Sequence, residues 1–436
     1  MQFLITAIVA VILLVGVAAS CPRVCSCTSD SNGDHVNCSS RGLDSIPTGL
    51  PNNTYVLLLQ QNRITSIKSN TFNNLLNLAQ LNLDNNYISE IEDNNFNNLP
   101  NLIYLYLHQN RITSIKSDTF NNLRNLIRLD LYHNYISVIE DNNFSNLPNL
   151  EILYLHQNRI TSIKSDTFNN LMNLHRLTLY QNKITSIKSN TFNNFLNLTQ
   201  LKLYNNEISV IEDNNFSNLP NLEYLYLHEN RITSIKSDMF NKLSKLVDLF
   251  LHENRITSIK SDTFNNLMNL HQLLLHQNRI TSIESDTFNN FPNLTRLDLY
   301  HNYISVIEDN NFNHLPKLEI LYLHNNTITS IKSDTFSNLT NLKTLWLRSN
   351  PISVVEENAF NTLPNLEELK FDMYCASCDN IPFWRWLKRQ WTLTTYIYCN
   401  DFHGRKLSSL RNFNDDCTEN DGNGSVWCSR QGDWKG

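Results

Sequence analysis

Residues 102–123 read LIYLYLHQNRITSIKSDTFNNL, and close copies of this segment follow one another along most of the chain. Each copy holds the pattern LxxLxLxxN, which in this segment ends at Asn110. From Asn62, every step of 24 residues reaches another Asn until Asn350, which gives thirteen units in one phase. A fixed period of this length predicts a solenoid, in which each unit buries its apolar face only against its neighbours.

The spacing within a unit assigns its elements. Leu105 and Leu107 point to the same side of an extended segment, so each unit contributes one short strand. The following Asn can turn inward and satisfy backbone groups at the bend. Phe120 and Leu123 would fill the opposite side of the same core. We predict a curved stack with a parallel β-sheet on its concave face and an irregular or short helical convex side.

The two ends of the chain differ from the repeats. Residues 1–20 combine an apolar run with small residues before Cys21, which is typical of a signal peptide, with a retained anchor as the alternative. The nine cysteines lie in two terminal clusters, which in an exported chain indicates disulfides rather than a metal or redox site. No later segment is apolar enough to span a membrane. We therefore predict a secreted, extracellular protein, held at a cell surface only if a C-terminal anchor is missing from this sequence.

Together, the repeats and the terminal cysteines resemble the extracellular leucine-rich-repeat family, from Cys21 to about Cys417. The resemblance implies an α/β leucine-rich-repeat solenoid, a curved horseshoe capped by disulfides at both ends. It divides the chain into a signal peptide (1–20), an N-terminal cysteine cap (21–53), thirteen repeats (54–365), a C-terminal cysteine cap (366–417) and a polar tail (418–436).

Each cap has four cysteines, and spacing alone leaves three pairings open in each. The resemblance implies the bonds Cys21–Cys27, Cys25–Cys38, Cys375–Cys399 and Cys378–Cys417. The family's usual Asn-Pro-Trp lead into the C-terminal cap is absent, which leaves the start of that cap open. Cys428 is then left over, so we predict a disulfide-linked oligomer, unless the partner cysteine of Cys428 is missing from this sequence.

The varied positions of the repeats lie on the predicted strands. The convex segments recur nearly verbatim, whereas the residues six, four and two positions before each Asn differ from unit to unit. These three columns alternate with buried leucines and therefore face the concave side. They are rich in Tyr, His and Arg, which suit recognition, although stacking as a simple repeat consensus is the alternative. The predicted ligand-binding residues are Tyr104, Tyr106, His108, Arg128, Asp130, Tyr132, Tyr154, His156, Arg176, Tyr180, Tyr204, Tyr224, Tyr226, His228, Asp248, Phe250, His252, His276, Arg296, Asp298, Tyr300, Tyr322, His324, Trp346 and Arg348.

Histidine recurs in the column two positions before the Asn, and His228, His252 and His276 occupy three successive units. Because neighbouring strands lie about 4.8 Å apart, these imidazoles would stack. Such a row can bind a transition metal, release a partner on acidification, or serve as a hydrogen-bonding surface. The spacing requires neither of the first two, and we predict no metal and no cofactor.

Catalysis and nucleic-acid binding are both disfavoured. The net charge of −6 offers no basic excess for phosphates. The sequence has no GxSxG, HExxH or phosphate-binding loop, and Asp130, Asp248 and Asp298 are predicted on open strands. We predict that the protein is not an enzyme and that its partner is an extracellular protein or glycan.

Acceptor sequences for N-linked glycans are frequent, and several can arise by chance in an Asn-rich chain. The predicted glycosylation sites are Asn52, Asn143, Asn197, Asn215, Asn293, Asn325, Asn338 and Asn423.

Within the family, the capped ends and the varied inner face are closest in character to the variable lymphocyte receptors and their chordate relatives. This resemblance implies immune-type recognition of antigen on the concave face. The alternative is a matrix or cell-guidance adhesion protein, similar to Slit, with one fixed protein partner. A third possibility is a structural matrix protein that binds collagen or glycosaminoglycan.

Overall fold

The computed structural model describes residues 21–373 except 93–94, 117, 141–142, 309–310 and 357, and shorter stretches of the C-terminal region, namely 383, 386–387, 389, 393–399, 405–406, 417–419 and 426–428. The predicted signal peptide, Cys375, Cys378 and the sequon residue Asn423 lie outside the described residues. The predicted pairings of the C-terminal cap therefore stay predictions.

The N-terminal cap begins the stack with a small hairpin. Strands Ser26–Ser29 and Asp34–Asn37 pair antiparallel, and the second of them pairs parallel with Thr54–Leu58, the first strand of the repeats. Disulfides join Cys21 to Cys27 and Cys25 to Cys38, as predicted. The cap thus covers the apolar edge that the first repeat would otherwise expose.

One long parallel sheet lines the concave face. From Thr54–Leu58 to Glu368–Met373, each strand pairs with the next at a separation of 24 residues, with no slip in register. This confirms the predicted parallel sheet. Its strands are Thr54–Leu58, Gln80–Asn82, Tyr104–Tyr106, Arg128–Asp130, Ile152–Tyr154, Arg176–Thr178, Gln200–Lys202, Tyr224–Tyr226, Asp248–Phe250, Gln272–Leu274, Arg296–Asp298, Ile320–Tyr322, Thr344–Trp346 and Glu368–Met373.

The last of these strands continues the solenoid into the segment that was predicted as the C-terminal cap. Glu368–Met373 pairs parallel with Thr344–Trp346 on one side and with Thr394–Cys399 on the other. Thr394–Cys399 in turn pairs antiparallel with Arg405–Lys406. The sheet therefore runs without a break from the repeats into the C-terminal region.

The convex side consists of turns and very short strands, and no helix occurs among the described residues between 54 and 373. The sequence predicted a convex side that is irregular or short helical, and the described residues show the irregular form. Several residues there, such as Asn190, Asn214 and Asp286, adopt positive φ angles that interrupt a right-handed helix. Two-residue parallel ladders join some neighbouring units: Ser114–Ile115 with Val138–Ile139, Ser186–Ile187 with Val210–Ile211, Ser258–Ile259 with Ser282–Ile283, and Ser330–Ile331 with Val354–Val355.

A ladder of buried asparagines ties each unit to the one before it. The side-chain amide of Asn206 donates to the carbonyls of Leu179 and Leu203, both at 3.0 Å. Its Oδ1 accepts the backbone N–H of Ile184 at 3.1 Å. The same contacts recur at the other repeat asparagines, from Asn62 to Asn350. The bend after each strand is thus satisfied internally, as the repeat pattern predicted.

A second ladder, of phenylalanines, fills the convex side of the core. Phe72 through Phe360 stack one above another every 24 residues, with ring centroids 5.8–6.5 Å apart. Leucines and isoleucines of the same units complete one continuous apolar core. Each unit therefore depends on both neighbours for burial of its aromatic ring.

Replacing one ring of this ladder should destabilise the fold strongly. Phe240→Ala removes a fully buried side chain that two other rings contact, and we expect a loss of about 3–5 kcal/mol. Met172→Ala, at a convex residue that is largely exposed, should change stability by less than about 0.5 kcal/mol. Urea unfolding monitored by circular dichroism measures both. Equal effects of the two variants would contradict the account of the core.

The polar tail also contains paired strands. Cys417–Glu419 and Val426–Cys428 run antiparallel, and their register sets Cys417 opposite Cys428. Directly opposite residues of an antiparallel pair lie within the Cα separation that a disulfide spans. The register therefore offers Cys428 a neighbour within its own chain, besides the intermolecular partner that the cysteine count predicts.

Candidate ligand-binding face

The predicted recognition residues lie in three columns on the open side of the sheet. In each strand the central leucine is buried, while its two neighbours face away from the core, as in Tyr104–Tyr106 and Tyr224–Tyr226. The third column follows two residues later and includes His108 and His228. The alternation therefore places all three columns where the sequence predicted them.

The third column forms one continuous stack of aromatic rings. Neighbouring ring centroids lie 4.2–4.5 Å apart and the ring planes are within 17° of parallel. Close strand spacing and small turn-to-turn rotation hold the rings face to face. The ten stacked residues are His108, Tyr132, His156, Tyr180, Tyr204, His228, His252, His276, Tyr300 and His324.

Burial within this stack keeps its histidines neutral. Desolvation lowers the pKa of His108, His156, His228 and His324 to about 4. For His252 and His276, desolvation and then a neighbouring imidazole lower the pKa to about 3. Because an ordinary histidine titrates near pH 6.5, the stack carries little charge at neutral or mildly acidic pH.

The acidic residues of the middle column are buried rather than presented to a ligand. Asp130 is 1% exposed and Asp298 is 0% exposed. The guanidinium of Arg128 donates two hydrogen bonds to Asp130, both at 2.9 Å, and Arg296 contacts Asp298 in the same way. These carboxylates therefore orient the arginines and present almost no surface of their own to a ligand.

Burial raises the pKa of Asp130 and of Asp298, and the hydrogen bonds from the paired arginine oppose that rise. Asp248 is also buried, and desolvation raises its pKa too. His156 and His276 likewise expose little surface. Any contact of these five residues with a ligand would be limited to the edge of a side chain.

Arg128 and Arg296 lie over tyrosine rings of adjacent strands. The Cζ of Arg128 lies 5.4 Å from the ring centroid of Tyr106 and 5.1 Å from that of Tyr154. The Cζ of Arg296 lies 5.4 Å from the ring centroid of Tyr322. Cation–π packing and the buried carboxylate together fix the guanidinium on the face before any ligand arrives.

This arrangement occurs twice because the sequence is duplicated. Residues 126–159 and 294–327 are nearly identical and lie seven repeats apart. At about 4.8 Å per strand, the two patches are separated by about 30 Å along the sheet. The face thus offers two equivalent groups of Arg, Tyr and His side chains.

Between and beyond these patches the middle column is mainly apolar or aromatic. Tyr226 stacks on Phe250 with ring centroids 4.5 Å apart, and Tyr322 packs against Trp346 at 4.4 Å. Lys370 lies over the Trp346 ring, with its Nζ 3.6 Å from the centroid. Arg348, two residues after Trp346, contacts Asp372, with its Nε 3.4 Å from the carboxylate Oδ1. The C-terminal end of the face is therefore aromatic with cations beside it.

The structure separates the predicted glycosylation sites by burial. Asn143 and Asn215 are buried, and their amides donate to backbone carbonyls of Lys116 and Glu212. A glycan on either would displace a packed side chain, which argues against both. The remaining described sequon residues are at least partly exposed, and they are Asn52, Asn197, Asn293, Asn325 and Asn338.

Two features of the face were missed from sequence. The residue just before each repeat Asn adopts a positive φ angle, which places Glu229 and Glu253 on the rim beside the histidine stack. A lateral surface next to that rim exposes Tyr87 (43%), Tyr135 (43%) and Tyr303 (57%). The recurring Asn, Gln, His or Glu at the rim position was the available signal, since such residues tolerate turns.

Depressions elsewhere on the described surface are shallow. Two of them lie on the convex side around Lys236 and Asp238, away from the stacked rings. A third lies near Asn101 and Asn125, on the flank formed by residues that precede the strands. Because the candidate face is open, it suits a macromolecular surface or polymer better than an enclosed small molecule.

Family models cover most of the chain. The leucine rich repeat model matches residues 52–112, 100–160, 268–328 and 316–372, and the BspA type leucine rich repeat region matches residues 161–278. The leucine rich repeat N-terminal domain matches residues 20–51. In the described part of the chain, no helix is both long enough and apolar enough to cross a bilayer.

Curated relatives match over short stretches. Leucine-rich repeat-containing protein 3 of Rattus norvegicus is 43% identical over 65 residues, which is 15% of this chain and 25% of that protein. Leucine-rich repeat-containing protein 4 of Rattus norvegicus is 42% identical over 64 residues, 15% of this chain and 10% of that one. The chain thus spans a quarter or less of these two relatives.

Solved structures match over a much larger part of the chain. An internalin, InlF, from Listeria monocytogenes str. 4b F2365 is 26% identical with a TM-score of 0.56, covering 71% of this chain and 85% of that one. TLR13, solved in complex with ssRNA13, is 30% identical with a TM-score of 0.64, covering 82% and 52%. Repeats, cap and fold agree: this chain belongs to the leucine-rich repeat family and carries that family's N-terminal cap.

Proposed function

We propose that this protein is an extracellular recognition protein that binds a protein or glycan ligand on the concave face, in an immune-type role, without catalysing a reaction. The observation that carries the proposal is the fixed display of Tyr, His and Arg side chains along the sheet. These side chains are already ordered by stacking and by the Arg–Asp pairs, so little conformational entropy is lost on binding. We expect such a protein to be located in the extracellular space.

Three properties support recognition over a purely structural role. The residues of the open face vary from unit to unit, whereas most convex segments follow one of two recurring patterns, ITSIKSDTF or ISVIEDNNF. Arg128 and Arg296 are held in place by buried carboxylates, yet both retain exposed surface. Tyrosine and arginine are also the residues most often found at the energetic centres of interfaces.

The comparisons add support from similar folds. The TLR13 structure contains an RNA ligand, and a Toll–Spatzle complex with 22% identity shares the fold. RNA is disfavoured for this chain because its net charge is −6, but it belongs in any ligand screen.

A matrix or cell-guidance adhesion protein with one fixed partner is the second candidate. The observation that favours it is a fold shared with FLRT2, which was solved in an octameric complex with latrophilin 3 and Unc5D. The two candidates predict different ligands for the same face. An immune role predicts microbial or diverse ligands, and adhesion predicts one host protein.

A binding screen tests the proposal. The secreted protein is presented to microbial surface polymers, a single-stranded RNA and an array of extracellular proteins, and binding is measured by biolayer interferometry. In a second protein Tyr154, Tyr226 and Tyr322 are all replaced by Ala. We expect this triple variant to lose at least about 100-fold in affinity, since each ring contributes on the order of 1–2 kcal/mol.

The matched control replaces Tyr87, Tyr135 and Tyr303 by Ala, which removes the same chemistry from the lateral surface. It should bind like the unmodified protein. Microbial ligands lost only in the concave variant support the immune role, and one host protein lost only in that variant supports adhesion. Binding that survives the concave variant but not the lateral one would refute the proposed site.

A further inference from the structure

Three successive histidines of the stack lie beside acidic residues at its rim. His228, His252 and His276 follow one another with ring centroids 4.3 Å apart, whereas none of the other stacked histidines lies next to a second histidine of the stack. In the rim position that follows the stack, Glu occurs only at Glu229 and Glu253 among the thirteen repeats. Imidazole pairs and carboxylates therefore coincide at one place on the sheet.

Ligand atoms of His252, Glu253 and His276 all lie within 4.8 Å of one another. Two imidazole nitrogens and one carboxylate oxygen are a donor set that Zn²⁺ accepts, with a fourth position open to water. Bound ligand atoms sit closer together than this, and imidazole lone pairs lie in the ring planes. Binding therefore requires the two stacked rings to tilt toward a common ion and the exposed Glu253 side chain to rotate toward them. From this cluster we propose that His252, Glu253 and His276 form a Zn²⁺-binding site on the rim of the concave face.

The buried side of the cluster favours this assignment. His276 is only 7% exposed, and its Nδ1 has no hydrogen-bond partner among the described residues. The nearest carboxylate oxygen to that Nδ1 belongs to Asp298, at 3.8 Å. A proton held on Nδ1 toward Asp298 leaves the Nε2 lone pair free for a metal, which is the usual carboxylate–histidine–zinc order.

The outer side of the cluster also favours a cation. Glu229 and Glu253 occupy the same rim position in successive units. Asn205 donates a hydrogen bond to Glu229 at 2.6 Å, whereas no described side chain donates to the Glu253 carboxylate. A divalent ion would neutralise Glu253 and offset its repulsion from Glu229.

Calorimetric titration of ZnCl2 into the whole secreted protein tests the site, after removal of metals with chelator and alkylation of free thiols. Visible absorption of added Co²⁺ reports the coordination geometry independently. His252→Tyr introduces a residue type that already occurs in the stack, at Tyr204. Glu253→Gln introduces the residue that the next unit has at the same rim position, Gln277. Both variants should fold and should lower Zn²⁺ affinity by at least about tenfold.

His156→Tyr is the matched control, because His156 lies between Tyr132 and Tyr180 and is followed by Gln157. It should bind Zn²⁺ like the unmodified protein. Tight Zn²⁺ binding lost in His252→Tyr and Glu253→Gln but kept in His156→Tyr supports the site. No Zn²⁺ binding by the unmodified protein, or equal affinity in all four proteins, would overturn it, whatever the outcome of the ligand screen.

Discussion

Asn206→Ala should be among the most destabilising single substitutions in this chain. It leaves the backbone N–H of Ile184 and the carbonyls of Leu179 and Leu203 without the contacts that the amide supplied. Leu179 and Leu203 each still accept a hydrogen bond, from Asn182 and Asn230 respectively, so only the Ile184 N–H is left unsatisfied. That group costs about 1–3 kcal/mol and each of the two lost hydrogen bonds about 0.5–1.5 kcal/mol, so we expect a loss of about 2–6 kcal/mol. Urea unfolding measures the loss, and amide hydrogen exchange should report faster opening of the units on either side.

Asn269→Ala provides the matched control for this asparagine. Asn269 also donates its amide to a backbone carbonyl, that of Ser244 at 2.8 Å, but it does so at the exposed surface. Water replaces an exposed hydrogen bond, so the expected loss is below about 1 kcal/mol. If Asn206→Ala were as mild as Asn269→Ala, the buried ladder would not hold the units together.

Acidification from pH 7.5 to 5 should lower the stability of the metal-free protein by several kcal/mol. In the folded chain the pKa values of six stacked histidines lie at about 3 or 4, below the value near 6.5 of an unfolded chain. The unfolded state therefore binds more protons, and stability is lost as the pH falls from about 6.5 toward 4. Each histidine contributes about 1–2 kcal/mol at pH 5, and we expect the midpoint of thermal unfolding to fall by about 10 °C.

A variant with His228, His252 and His276 all replaced by Tyr tests the cause of this acid sensitivity. It keeps an aromatic ring at each position and removes half of the groups with depressed pKa values, so its fall between pH 7.5 and 5 should be about half as large. Replacing the exposed His175 and His271 by Tyr should leave the loss of stability between pH 7.5 and 5 unchanged. An unchanged fall in the first variant would assign the acid sensitivity to other groups.

The same pKa values bear on the idea that acidification releases a partner. Release at mildly acidic pH requires imidazoles that gain protons between about pH 7 and 5. Burial in the stack moves the titration of His228 to about pH 4 and that of His252 to about pH 3. These two residues are therefore unsuited to such a switch.

The fold was predictable because one period of 24 residues fixes it. The leucine spacing at Leu105 and Leu107 assigns the strand, and the phase of the repeat asparagines assigns the register. The strand Glu368–Met373 was assigned to the cap instead, since its sequence lacks the pattern LxxLxLxxN. A strand that lies outside the repeat pattern is harder to predict from sequence, because its formation depends on pairing with the neighbouring strand.

The site was predictable in outline and not in detail. Alternation placed Arg128 and Asp130 on the open face, since they are two residues apart on one strand. Their contact with each other, which buries the carboxylate beneath the guanidinium, depends on the tyrosines of the adjacent strands. Glu253 escaped attention because its exposure follows from a positive φ angle that sequence does not specify for Glu.

Hydroxyl-radical footprinting of the protein with and without a ligand from the screen tests the concave-face account most directly. Oxidation of each tyrosine is measured by mass spectrometry. The account predicts that the ligand protects Tyr154, Tyr226 and Tyr322 and leaves Tyr87, Tyr135 and Tyr303 unprotected. Protection of the lateral tyrosines with unchanged oxidation of the concave ones would contradict it.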